Sequence, residues 1–275
     1  MAASFAKTFC KLALRDVARQ YAHPVKSFSG SFLTRMWARQ SRPLEEFAVS
    51  QLSITPDDNV LEIGYGRGHG IAALYDRVAD GKGIAFGLEQ SEYMEDVVRR
   101  RFVLETAEEH KVHLDRAIDL RHLPYPSDFF AAVFHVNTFY FWKQEQMREI
   151  LWELARTVRP GGQLICVANP RQLKKLYNWE TVTEAQCNLV RYLSHLESVG
   201  FDHVKVEYHQ VGRDEIQLVS ALKTKRQEDE DPEARMKELE EDIKMFMVEE
   251  LIRQKGRAGT TKMRNPELQS EGNAI

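Results

Sequence analysis

A short apolar segment that runs into a cluster of glycines most constrains what this chain can fold into. Residues 60–70 read Val-Leu-Glu-Ile-Gly-Tyr-Gly-Arg-Gly-His-Gly. Glycines let the backbone turn sharply and let a ligand approach main-chain atoms, and a helix starting just after them directs its amides at that ligand. We therefore predict a strand, a ligand-binding loop and a helix, with a glycine-rich turn that binds nothing as the alternative.

Strand-like and helix-like segments alternate from residue 45 to residue 225. We expect strands at 59–63, 83–88, 111–118, 131–136, 163–168, 204–209 and 216–223. We expect helices from Ser91, a suitable N-cap, through Val97 towards Thr106, and over 144–158 and 184–199. This alternation predicts an α/β fold with a seven-stranded, mostly parallel sheet and helices on both faces, whose ligands bind beyond the carboxyl ends of the strands.

The two ends of the chain differ in charge from its middle. Residues 1–44 hold eight Lys and Arg against one acid, whereas residues 228–250 hold eleven acids. We predict four parts: a basic N-terminal helical segment over 1–44, a ligand-binding domain over 45–225, an acidic amphipathic helix over 226–255 and a disordered tail over 256–275. The apolar seam of that acidic helix, within 232–255, is a possible homo-oligomer contact.

The charge pattern also bears on partners and compartment. The net charge of −3 gives no reason to expect nucleic acid, and no apolar run is long enough for an integral membrane segment. Three cysteines without a C-x-x-C pair favour a reducing compartment, so we expect a cytoplasmic protein. Lys7, Lys11, Arg15 and Arg19 form a basic stripe, which leaves open a mitochondrial transit peptide or a membrane-surface helix.

The glycine motif distinguishes two cofactor classes. Dinucleotide enzymes favour G-x-G-x-x-G, but position 69 is His69, which disfavours a nicotinamide-dependent oxidoreductase. The order Glu62-x-Gly64-x-Gly66-x-Gly68 instead resembles the first motif of class I, Rossmann-like S-adenosylmethionine-dependent methyltransferases. The resemblance implies that Glu62 lies near the amino-acid end of the cofactor, and that the loop containing Gly64, Tyr65, Gly66 and Gly68 passes beneath its methionine part.

Two further segments match that family in order and spacing. Glu89, followed by Gln90, matches the acid that binds the ribose hydroxyls. The segment 117–126 is similar to the one whose acid approaches the adenine amino group, which implies that role for Asp119, with the backbone of Leu120 beside the ring. Asp119 could otherwise be an ordinary turn acid.

The segment after the fourth expected strand lies where methyl donor and acceptor meet in this family. It supplies Asn137 as a cofactor contact, four aromatic residues over 139–142 as cavity walls, and His135 and Tyr140 as candidate bases. Residues Phe28, Met36 and Trp37 fall where the family often builds a lid. No metal is expected.

The resemblance is nearest to small-molecule enzymes such as the methyltransferases of quinone biosynthesis. It implies methyl transfer from S-adenosyl-L-methionine to a small, apolar or lipid-like molecule. A non-catalytic partner protein of the same fold stays open, because Ala131 stands where the family usually has an acid. A nucleic-acid methyltransferase is disfavoured because the chain lacks the Asn/Asp-Pro-Pro-Tyr/Phe signature.

Overall fold

The computed structural model describes residues 16–17, 20–117 and 119–224. They belong to a compact unit that ends at Gln227. The acidic helix over 226–255 with its proposed oligomer contact, the tail over 256–275 and the four residues of the basic stripe lie outside the described residues; the stripe residues are Lys7, Lys11, Arg15 and Arg19. The division into four parts therefore stays a prediction.

Seven strands form one sheet. They are β1 (Val60–Ile63), β2 (Ala85–Glu89), β3 (Val112–Arg116), β4 (Phe130–Val136), β5 (Val158–Ala168), β6 (Phe201–Val211) and β7 (Asp214–Lys223). Their order is β3-β2-β1-β4-β5-β7-β6, with β7 antiparallel to both β5 and β6 and the other pairs parallel. The predicted mostly parallel, seven-stranded sheet is confirmed.

Helices cover both faces of the sheet. They are α1 (Phe28–Ser50), α2 (His69–Val78), α3 (Glu92–Arg101), α4 (Val103–Ala107), α5 (Met147–Thr157), α6 (Pro170–Asn178), α7 (Glu184–Cys187) and α8 (Val190–Leu196). Two buried apolar clusters form the core: one holds Leu61, Leu88 and α5, the other Val60, Ile71 and α1. Since β1 and β4 are buried along their whole length, their continuous apolar sequences reflect cover on both faces.

Three boundaries differ from the sequence prediction for local reasons. The helix predicted over 184–199 breaks at Asn188, whose backbone is extended and whose side chain accepts from the amide of Val190. The helix after Ser91 stops at Phe102, where the backbone leaves the helical region. Strand β5 starts at Val158 rather than at residue 163, with a register shift opposite Phe130 and Ala132 and a left-handed Gly161.

The position of β1 creates the site. Strand order reverses between β1 and β4, and Ile63 lies level with Leu88 on one side and His135 on the other. The chain therefore leaves β1, β2 and β4 at a common edge, and ligands bind at such switch points in open α/β sheets.

Helix α1 packs across this edge against α2 and β4. It starts at Ser27, whose hydroxyl accepts from the amide of Gly30, and it continues past residue 44, where the sequence suggested a boundary. In the part of the chain that the structure covers, no helix is long and apolar enough to cross a membrane.

Candidate functional site

A cavity of about 490 Å³ opens at the carboxyl ends of β1, β2 and β4. Sites for small molecules commonly enclose about 300–1,000 Å³. Seven residues predicted to bind a cofactor line this cavity: Gly64, Gly66, Glu89, Gln90, Asp119, Leu120 and Asn137. The structure thus brings together segments that follow four different strands and are far apart in sequence.

The loop after β1 needs its glycines for two different reasons. Gly64, Gly66 and Gly68 all have positive φ, which is unfavourable for other residues. A Cβ at Gly64 would meet Cγ2 of Thr138 at 2.6 Å, whereas a Cβ at Gly66 would meet no described atom within 4 Å. Gly66 therefore borders open space in the cavity, as the floor of a ligand site should.

Glu89 ties the end of β2 to this loop. One carboxylate oxygen accepts from the amide of Gly66 at 3.1 Å, and the other accepts from the amides of Gln90 and Ser91 at 2.9 and 3.0 Å. Burial nevertheless raises the pKa of Glu89 above its ordinary value. Each carboxylate oxygen has two lone pairs, so capacity remains for a hydroxyl donor from a ligand.

Asp119 lines the cavity after β3, and its charge is already matched. The guanidinium of Arg121 donates to both carboxylate oxygens over 2.6–3.0 Å, which lowers the pKa of Asp119. Leu120 is buried beside it. This end of the cavity therefore offers a neutralised acceptor next to an apolar surface, which suits a heteroaromatic ring.

Asn137 begins a chain of amide contacts across the cavity wall. Its carbonyl oxygen accepts from the amide of Asn169 at 2.9 Å, and its Nδ2 donates to Oε1 of Gln172 at 3.1 Å. Gln172 in turn donates to the hydroxyl of Tyr21. Because both ends of the Asn137 side chain are engaged, its position is fixed before any ligand binds.

Buried carboxyl groups crowd the start of α2. Glu45 of α1 lines the cavity and accepts from the amide of Gly70 at 3.1 Å and from the hydroxyl of Ser41 at 2.6 Å. Burial raises the pKa of Glu45 to about 7. Glu62 lies behind the wall with one oxygen unpartnered among the described residues, and burial together with Glu45 and Glu89 raises its pKa. A cationic ligand would relieve this crowding.

The far end of the cavity is aromatic. Tyr21 and Trp37 meet edge to face with ring centroids 4.8 Å apart, and Tyr21 lies 6.0 Å from Phe141. Trp142 also lines the cavity, so two of the four aromatic residues over 139–142 reach it. Of the three expected lid residues, Trp37 lines the cavity, whereas Phe28 and Met36 point to solvent.

His135, a predicted base, lies one residue behind the wall. Its two ring nitrogens are within 3.0 Å of the hydroxyls of Tyr192 and Thr138, and only Thr138 of these three residues lines the cavity. Burial lowers the pKa of His135 to about 3. The imidazole is therefore neutral and fully engaged, and it holds Thr138 beside Gly64.

Three more predicted residues lie in the core rather than on the wall. Tyr140 is fully buried, and its hydroxyl interacts with the hydroxyl of Tyr21, which lines the cavity. Tyr65 packs its ring against Gly87, where a Cβ would come within 2.6 Å of that ring. Gly68 caps α2 in a left-handed conformation. These residues shape the site without facing it.

Sequence reasoning missed Tyr21, Glu45 and Gln172. No strand end or glycine motif marks them, because each reaches the cavity from an element packed over the sheet edge. The signal available for Glu45 was its spacing: of the two adjacent acids in the stretch from Leu44 to Val49, it is the one three and four residues before the buried Ala48 and Val49. In the described ranges, no group of three or more His, Cys, Asp or Glu side chains is placed to hold a metal ion.

Comparison with known proteins agrees with this site. Residues 60–162 match a family described as methyltransferase domains. The chain is also 27% identical, over 135 residues, to YdaC of Bacillus subtilis (strain 168), which is described as an uncharacterized methyltransferase. The matched region covers 49% of this chain and 69% of that protein.

Two solved structures illustrate the shared fold. A chain from the complex between the Haloferax volcanii Trm112 methyltransferase activator and a methyltransferase superposes with a TM-score of 0.57 at 17% identity, covering 70% of this chain and 94% of that one. The second is a geranyl diphosphate C-methyltransferase from Streptomyces coelicolor A3(2), bound to Mg²⁺, geranyl diphosphate and S-adenosyl-L-homocysteine. It superposes with a TM-score of 0.52 at 15% identity, and the match covers 68% of this chain and 78% of that one.

Proposed function

Because this chain is an S-adenosylmethionine-dependent methyltransferase of the class I, Rossmann-like type, we propose that it methylates a small, apolar or lipid-like molecule. The acceptor lies at the aromatic end of the cavity, against Tyr21, Trp37 and Phe141. The similarity to quinone-biosynthesis enzymes noted in the sequence belongs to this proposal.

The cavity residues fit the cofactor. Open space borders Gly66, Glu89 retains one lone pair, on Oε2, for a ribose hydroxyl, and Leu120 offers an apolar surface beside Asp119. The carboxyl groups of Glu45, Glu62 and Glu89 complement a ligand that carries a sulfonium and an ammonium group. S-adenosyl-L-methionine supplies an activated methyl group when it is bound there.

The protein's own contribution is alignment and exclusion of water. The Asn137–Gln172–Tyr21 contacts hold the wall between the two ends of the cavity, and the aromatic rings keep water from the acceptor. An acceptor that must lose a proton would pass it to Glu45, which lines the cavity and whose pKa is raised by burial to about 7. This assignment replaces His135 and Tyr140 as the proposed base.

One observation carries the proposal: a single cavity wall includes both the cofactor-binding residues and the aromatic end. Donor and acceptor can therefore meet without a change of fold. An apolar cavity end with few polar groups selects an apolar ligand.

The test supplies the purified protein with methyl-labelled S-adenosylmethionine and a cell extract, and follows the label by mass spectrometry. We expect label in a small, solvent-extractable product, and at least about fivefold less label with Glu89→Ala at a subsaturating cofactor concentration. Label confined to protein or nucleic acid would contradict the proposal. Cofactor binding without transfer into any fraction would favour the non-catalytic partner protein.

A further inference from the structure

We propose that the outer face of α1 docks on an anionic lipid surface, so that the cavity opens beside a bilayer. The outer face comprises the apolar residues Phe28, Phe32 and Met36 and the basic residues Arg35 and Arg39. Docking is a binding property that does not depend on the identity of the acceptor.

The apolar part of the outer face is unusually exposed. Phe28, Phe32 and Met36 expose 94%, 65% and 38% of their surface. They are spaced four residues apart, so they follow one another along the same side of the helix. A single exposed apolar residue is ordinary, but an aligned group marks a surface that contacts something other than water.

The charge around these residues identifies what that contact is. Lys26, Arg35, Arg39 and Arg42 are exposed, and the chain has no Asp or Glu between Asp16 and Glu45. Neither Arg35 nor Arg39 forms an ion pair with a described residue, whereas Arg42 pairs with Glu46. Exposed aromatic residues among unpaired cations are the composition of helices that lie in the interface of anionic membranes.

The opposite face of the same helix lines the cavity, so docking would bring the cavity close to the bilayer. Thr34, Trp37, Ala38 and Ser41 line the cavity from α1. The helix is thus the wall between the cavity and the proposed membrane surface. An apolar molecule dissolved in the bilayer would reach the aromatic end by passing the edge of α1 instead of crossing water. Neither an acidic protein nor a nucleic acid would make use of both the aromatic residues and this position.

The experiment measures binding of the full chain to vesicles by cosedimentation. The vesicles are phosphatidylcholine alone, or phosphatidylcholine and phosphatidylserine in equal parts. We expect binding to the mixed vesicles that weakens as salt increases, because exposed charges are screened. The Phe28→Ser/Phe32→Ser variant should lose about tenfold or more in partition coefficient. The Arg35→Gln/Arg39→Gln variant should lose about tenfold to thirtyfold on mixed vesicles alone.

Matched control variants distinguish docking through the outer face from non-specific binding to vesicles. Val103→Ser/Leu104→Ser removes two apolar residues exposed to 54% and 56% elsewhere on the surface. Lys174→Gln/Lys175→Gln removes two exposed cations of α6. Both controls should bind vesicles like the unmodified chain. All variants should keep their melting temperature and adenosylhomocysteine affinity, because the substituted side chains are exposed.

Each other outcome overturns the proposal. Undiminished vesicle binding by Phe28→Ser/Phe32→Ser would place membrane binding in another part of the chain. A failure of the unmodified chain to bind mixed vesicles would mean that something else covers this face. If sedimentation then shows a dimer that Phe28→Ser/Phe32→Ser dissociates, the outer face is a contact between copies.

Discussion

Glu89 is the residue through which the second strand meets the glycine loop. Its carboxylate accepts three backbone amides and still faces the cavity, so it preorganises the loop and offers an acceptor to the ribose. We expect Glu89→Ala to weaken adenosylhomocysteine binding by about 1–3 kcal/mol, the usual loss for hydrogen bonds to a charged group. Calorimetry measures this loss.

Glu92→Ala is the matched control, because its side chain is 83% exposed and lies three residues further on. It should leave the affinity unchanged. Equal affinities for the unmodified protein and Glu89→Ala would remove Glu89 from the cofactor site.

Gly66 and Gly161 allow backbone strain to be separated from ligand contact. Both have positive φ, and a Cβ at either would meet no described atom within 4 Å. An alanine at either position should therefore cost about 1 kcal/mol of the free energy of unfolding. Only Gly66 lines the cavity, so only Gly66→Ala should also weaken adenosylhomocysteine binding. Comparable affinity losses in both variants would show that strain alone accounts for the effect.

The Tyr140 hydroxyl is buried and interacts with the hydroxyl of Tyr21. Tyr140→Phe should leave turnover within a few-fold and change the free energy of unfolding by about 1 kcal/mol or less, because the lost interaction is offset by the removal of a desolvated hydroxyl. Tyr140→Ala should cost about 3–5 kcal/mol, since it opens a cavity in the core. Turnover measured at saturating cofactor tests this, and a loss of a hundredfold or more in Tyr140→Phe would restore Tyr140 as a catalytic residue.

At the scale of elements, the start of α6 connects fold and site. Asn169 caps this helix by accepting from the amides of Arg171 and Gln172, and its own amide donates to Asn137. Asn169→Ala should cost about 1–2 kcal/mol of unfolding free energy, measured by denaturant titration. Thr183→Ala, in the capping box of the exposed four-residue α7, should cost less, and the opposite ranking would contradict this role for α6.

The elements that the sequence predicts are those whose signal is local. Strands β1 and β4 are continuous apolar segments followed by turn residues, and the glycine loop has a spacing that few other functions require. The break at Asn188 was missed because helical periodicity continues on both sides of it. Apart from Trp37, the cavity residues of α1 were missed because their position depends on how that helix packs across the sheet edge, which periodicity alone does not encode.

At the scale of the whole molecule, opposite charges lie on the two sides of α1. The cavity side carries Glu45 near Glu62 and Glu89, whereas the outer face carries unpaired arginines. The inner carboxyl groups repel one another in the free protein and are relieved by a cationic cofactor. Stability and cofactor binding should therefore depend on pH in opposite directions.

The direction of the pH dependence of stability follows from the number of protons bound by the folded and the unfolded protein. Burial raises the folded-state pKa of Glu45 from an ordinary 4.5 to about 7, and the pKa of Glu62 is raised as well. Between the unfolded and folded values the folded protein binds more protons, so its free energy of unfolding falls as pH rises. His135 acts in the other direction, but its contribution is complete above its unfolded pKa of 6.5. Above pH 6.5, and below the ordinary pKa of 9.0 of the cysteine thiols, the raised pKa values of the carboxyl groups set the slope, and the cofactor-free protein should become less stable as pH rises.

Cofactor affinity should rise over the same interval, because the ionised carboxylates bind the cation and binding releases protons. Glu45→Gln keeps groups that can bond Ser41 and the amide of Gly70 but removes the charge, so both pH dependences should become shallower. Glu92→Gln, with a side chain that is 83% exposed and remote from these carboxyl groups in charge, should change neither. Thermal unfolding and calorimetry from pH 6.5 upward measure the two slopes. Slopes that are identical in Glu45→Gln and the unmodified protein would show that Glu45 is not the group that couples protons to the cofactor.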